Sequence, residues 1–115
     1  MAGEQGESMT RPITDGAEVS IDFPDKVYIG SFVRDASFDA TADVEGVHLQ
    51  LVRGSADRRV ARLHLHYYLL ADILAELAGS LRTLPPMDEA HCQPLLASAE
   101  ALAKALRRRG RGRRG

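Results

Sequence analysis

The apolar residues of this chain keep two different periods, and the change falls between His66 and Tyr67. Before it, apolar and polar residues alternate with period two, the pattern of half-buried strands. After it, in YYLLADILAELAGSLRTL, apolar residues fall at Leu69, Leu70, Ile73, Leu74, Leu77 and Leu81. That is the stripe of an amphipathic helix. Strands are therefore expected first and helices last.

Four segments carry the alternation. VYIGSFV sets Val27, Ile29, Ser31 and Val33 on one face, and SFDATADV does so with Phe38, Ala40, Ala42 and Val44. GVHLQLVR groups Val47, Leu49 and Leu51, and RRVARLHLH groups Ala61, Leu63 and Leu65. Arg34-Asp35-Ala36-Ser37 reads as a four-residue loop that pairs Val33 with Phe38. Glu45-Gly46 reads as a two-residue hairpin turn. It sets Val44 opposite Val47, Ala42 opposite Leu49 and Ala40 opposite Leu51. A one-residue slip would scatter the apolar set, so turn and pattern support each other. Gly54-Ser55-Ala56-Asp57 starts the next turn and places Leu49 opposite Leu63. EVSIDF, with Val19, Ile21 and Phe23, is a candidate fifth strand at the edge, ended by Pro24.

Pro85 and Pro86 stop the first helix. A second presents Leu95, Leu96, Ala99, Leu102, Ala103 and Leu106 on one face. Asp88 can cap its start, in which case Pro94 kinks it; otherwise Gln93 is the cap and Pro94 the first helical residue. Both helices need an apolar surface to cover, and the meander offers the large one. The expected fold is α+β: a four-stranded antiparallel β-meander, or five-stranded with the edge segment, followed by two α-helices packed on one face of the sheet.

A chain of 115 residues has room for one domain. Residues 1–16 lack periodicity and are expected to be disordered. Residues 17–106 form the single α+β domain, and 107–115 a flexible Arg/Gly-rich tail. The polar start has neither the basic opening nor the apolar core of a secretory signal. No apolar run approaches the ~20 residues of a membrane-spanning helix. The one cysteine, Cys92, excludes an internal disulfide and fits a reducing cytoplasm. Thirteen arginines against two lysines, with abundant Ala and Leu, suggest a bacterial source.

The net charge of −1 conceals a split. Residues 1–106 carry nine basic and sixteen acidic side chains, a balance of −7, while residues 107–115 carry six arginines. Arg107, Arg108, Arg109, Arg111, Arg113 and Arg114 suit contacts to the phosphates of a nucleic acid. The competing reading is a solvated tail that shields the acidic body.

Little in the chain suggests catalysis. His64 and His66 share a strand face, about 7 Å apart at Cα, and His48 is expected across from His64. Three imidazoles can bind zinc or copper. Arg62 shares that face, however, and the spacing matches no structural-zinc signature, so no metal is assigned. Cys92 and its neighbour His91 lack a base in reach. Asp39 and Asp43 on the outer sheet face read as solubilising charges. No glycine loop for phosphate appears. The chain is expected to be no enzyme and to need no cofactor.

Tyr28, Phe32, His48, Arg62, His64 and His66 are expected to face outward as an interaction surface. The expectation is a small, dimeric, non-catalytic cytoplasmic binding protein whose arginine tail provides affinity for nucleic acid. The alternative is a protein-binding adaptor or inhibitor, of the phage or plasmid accessory kind, acting through its acidic body.

Overall fold

The structure, a computed structural model, describes residues 10–54 and 58–114, and side chains through Arg108. The fold is α+β. Its strands are β1 (Arg11–Pro12), β2 (Ala17–Phe23), β3 (Lys26–Phe32), β4 (Ala36–Ala42), β5 (Gly46–Arg53) and β6 (Arg59–His66). Two helices follow, α1 (Tyr67–Arg82) and α2 (Glu89–Arg114). β6 passes into α1 without a loop, at the residue where the period changes.

One sheet has four antiparallel strands in the order β1-β4-β5-β6, and the other is the β2-β3 hairpin. The segment 27–33 therefore does not pair with β4. It pairs with β2 through a two-residue connection, Pro24-Asp25, with Phe23 opposite Lys26. A loop that short is cheap to close. The edge of β4 is taken instead by Arg11 and Pro12, opposite Phe38 and Ser37. Ile13 N–H also donates to Ala36 C=O at 3.0 Å. Strand pairing thus reaches into the segment expected to be unstructured, of which residues 1–9 lie outside the described residues. Between β3 and β4 the chain makes a tight turn, with Ala36 N–H donating to Val33 C=O at 2.8 Å. Arg53 links the two sheets, its Nη1 donating to Ser31 C=O at 3.1 Å.

The β4-β5 register lies two residues from the expected one. Ala42 faces Val47, Ala40 faces Leu49 and Phe38 faces Leu51. The cause is Asp43. Its Oδ1 accepts from Glu45 N–H at 2.9 Å and Gly46 N–H at 3.1 Å, which makes a three-residue loop of 43–45. Because the shift is even, the apolar residues keep their shared face. Between β5 and β6, Leu49 faces Leu63 and His48 faces His64, as expected. The turn residues 55–57 lie outside the described residues.

The face assignment of β3 is inverted. Pairing with β2 puts Phe32, Gly30 and Tyr28 on the side of Ala17, Val19 and Ile21. Phe32 is 3% exposed and, with Ala36, is one of two buried apolar side chains among the described residues. Its ring lies over Gly30, where an added Cβ would come 3.3 Å from Phe32 Cε1. Ile29, expected inside, is 72% exposed. The segment is apolar on both sides, so its pairing partner selects the inward face.

The described residues fall into two compact units, one ending at Leu74 and the other starting at Ala75. In the second, α1 ends as Thr83 N–H and Leu84 N–H donate to Ser80 and Leu81 carbonyls, each at 3.2 Å. Asp88 caps α2: its carbonyl accepts from His91 N–H and Cys92 N–H, and its Oδ2 from His91 N–H at 3.3 Å. Pro94 therefore lies inside α2, and Gln93 is not its cap. α2 continues helically to Arg114, where a flexible tail was expected from residue 107. Arginine is a good helix former and cations are favoured at a helix C-terminus. Gly110 and Gly112 cost roughly 1 kcal/mol each there.

Candidate functional site

The polar face of the four-stranded sheet carries the densest group of chemically capable side chains. His48 on β5 and His64 on β6 are direct cross-strand partners. Their rings stack, with centroids 4.1 Å apart and planes within 9°. His66, two residues along β6, brings its ring within 4.8 Å of His64. Arg62, on the same face, donates from Nε to Gln50 Oε1 at 3.0 Å.

Asp43 completes the group. Its Oδ1 is held by the loop amides, which leaves Oδ2 to accept from His48 Nε2 at 2.9 Å. A carboxylate can only accept, so His48 must present its Nε2–H here. The His48 hydrogen bond, then those from Glu45 and Gly46, lower the Asp43 pKa from 3.8 to about 2. The Asp43 carbonyl also accepts from Tyr67 Oη at 2.6 Å, which ties the loop to the first residue of α1. Asp43, His48 and His64 each offer one ligand atom, and these atoms lie within 4.8 Å of one another, the one such group among the described residues.

Of the six residues expected to form one interaction surface, His48, Arg62, His64 and His66 share the face of one sheet. Tyr28 and Phe32 belong to the other sheet. Phe32 is buried and is not a surface residue. Tyr28 is 53% exposed and meets Phe23 edge to face at 5.9 Å, with Lys26 Nζ 5.8 Å from its ring centre. Sequence reasoning missed Asp43 and Tyr67 as members of the histidine group. The signal for Asp43 was present: an Asp three residues before a Gly is the mark of a side-chain-closed turn.

Two further features could bind partners. An apolar groove of about 940 Å³ opens in the strand unit, lined by Val19, Ile21, Tyr28, Phe38, Leu49 and Leu63 among others. The end of α2 holds Arg107 and Arg108, both exposed. Arg109, Arg111, Arg113 and Arg114 continue its backbone, with side chains outside the described residues. Near its start, Asp88 Oδ1 accepts from His91 Nδ1 at 2.7 Å, a hydrogen bond that lowers the Asp88 pKa. Cys92 is a free thiol of intermediate exposure. Among the described residues no helix is long and apolar enough to cross a membrane.

No protein-family model, no curated protein and no solved structure matches this chain.

Proposed function

We propose that this chain is a small, non-catalytic binding protein that acts as a homodimer and holds nucleic acid at the C-terminal end of α2. One observation carries the reading: α2 stays helical to Arg114, and from Ala101 onward its sequence has seven cations and no acid. Positions 107, 111 and 114 recur at helical spacing, so a single helix face can follow a phosphate backbone. The −7 balance of residues 1–106 keeps such contacts to the helix end.

Apolar exposure supports the dimer. Leu77, Leu81, Leu95, Leu102 and Leu106 are all exposed. Helices of this length derive most of their stability from burying an apolar face, which a second copy can supply.

The test is fluorescence anisotropy with labelled single-stranded and duplex oligonucleotides at rising salt. Three engaged arginines on that face give a log–log slope of about −3 on duplex and about −2 on single strands. Removing residues 107–115 should abolish binding, and binding that survives the removal rejects the proposal. Sedimentation equilibrium should return twice the 12.5 kDa chain mass.

A second reading, a protein-binding adaptor acting through the acidic body, draws support from the apolar groove in the strand unit. It requires a single protein partner that is captured after nuclease treatment and retained when residues 107–115 are removed.

A further inference from the structure

The geometry points to a zinc site formed by Asp43, His48 and His64. Three observations converge on it, and none depends on the nucleic-acid reading.

The first is placement. His48 and His64 face each other across β5 and β6, so the sheet itself holds two imidazoles side by side. Asp43 reaches the same spot from the β4-β5 loop. Ligands from two strands and a loop are positioned by backbone hydrogen bonds and do not depend on chance meetings of long side chains.

The second is spacing. In tetrahedral zinc sites the bonds to nitrogen and oxygen are roughly 2.0–2.2 Å, which separates ligand atoms by about 3.3 Å. Here all three ligand atoms lie within 4.8 Å. Rotation of the exposed His48 and His64 rings about their side-chain torsions closes that difference, while the loop amides hold Asp43 in place. Open solvent on the same side leaves a path for the ion and room for water as the fourth ligand.

The third is the donor set. Two imidazoles and one carboxylate match the borderline character of Zn²⁺ and offer too few oxygens for Mg²⁺ or Ca²⁺. The carboxylate is ionised at neutral pH, so a negative charge sits beside the imidazoles and counters Arg62 on the same face. The guanidinium of Arg62 is itself engaged with Gln50. Asp43 also has the support that ligating carboxylates need, since the Glu45 and Gly46 amides fix its other oxygen.

Asp88 and His91 provide the internal control. They form a comparably close carboxylate–imidazole pair at the start of α2 but, among the described residues, are not part of a three-ligand group. One carboxylate and one imidazole offer too few ligands to retain zinc.

The experiment is isothermal titration of the untagged, chelator-stripped full chain with zinc chloride near neutral pH. One saturable equivalent per chain is expected. His48→Ala and His64→Ala should each weaken binding at least tenfold, since losing even a supporting partner of a ligand costs about 10- to 100-fold. His91→Ala should bind as the parent does, and Mg²⁺ should not compete. Circular dichroism establishes that each variant is folded. In case a variant is not, nitrogen-15 spectra of the histidine rings in the unaltered chain give a second readout: zinc should shift His48 and His64 and leave His91 in place. Absence of saturable uptake, uptake undiminished by both substitutions, equal loss in His91→Ala, or ring shifts at His91 alone would each overturn the site.

Discussion

The Asp43 carboxylate reaches back across the β4-β5 loop to the ring of His48, with Oδ2 2.9 Å from Nε2. This contact and the two loop amides hold the Asp43 pKa near 2, against 3.8 for the free group. A carboxyl with a lowered pKa stabilises the fold at pH above its unfolded value. That contribution is complete above pH 3.8 and is lost as pH falls through about 2. Carbon-13 titration of the Asp43 carboxyl should give a midpoint near 2. His48→Ala removes the largest cause and should move the midpoint upward. A midpoint at the ordinary value in the unaltered chain would show that the contact does not form in solution.

Gly46 opens β5 directly beneath β6. A Cβ added there would run into the carbonyl oxygen of Leu65 and lie 2.9 Å from the Cα of His66. Both obstacles are backbone and cannot swing aside. Gly46→Ala should therefore force the two strands apart at the end that carries His64 and His66. Overpacking of this kind costs typically 1–3 kcal/mol, and a backbone clash belongs at about the upper end. Urea unfolding followed by circular dichroism measures it. The equivalent change at Gly79, whose Cβ would meet nothing within 4 Å, should not destabilise the chain.

Phe32 and Tyr28 lie on the same side of β3 and should answer very differently to truncation. Phe32 is buried, and removing such a ring costs roughly 3–5 kcal/mol. Tyr28 is half exposed and loses mainly its edge contact with Phe23, worth about 1 kcal/mol. Urea midpoints of Phe32→Ala and Tyr28→Ala give the comparison. Equal losses would mean that Phe32 is not part of a core.

The contrast between those residues also shows what alternation can encode. Within β4, β5 and β6 one face is apolar and the other is polar apart from Val52 and Val60, so the shared side of Ala40, Leu49 and Leu63 was legible from the sequence, as was the opposition of His48 and His64. A period of two cannot detect a shift of two, so the β4-β5 register was read incorrectly while every face was right. In β3 both faces are apolar and alternation carries no preference. The choice falls to the partner strand, and Phe32 went inside. Arg11 and Pro12 have no periodic pattern at all; they join the sheet because the edge of β4 is vacant. The histidines of the candidate metal group were visible as a set. Asp43 carried only a turn signal, and its place beside His48 follows from the three-residue loop that its own side chain closes.

Pro94 offers a test within α2. It lies in the sixth helical position, past the first turn where a missing N–H costs nothing. There it removes one backbone hydrogen bond and crowds the carbonyl of Ala90, four residues back. Such a proline costs about 3 kcal/mol relative to alanine in a helix interior. Asp88 still caps the helix at its start, so the cap does not compensate by moving forward to Gln93. Pro94→Ala should therefore raise both the helical ellipticity and the thermal midpoint. If the helix instead began at Pro94, the substitution would remove a favourable first residue and both quantities would fall. Asp88→Ala separates the two cases in the other direction: it removes the carboxylate that accepts from His91 N–H and should lower helicity only if the cap stands at Asp88.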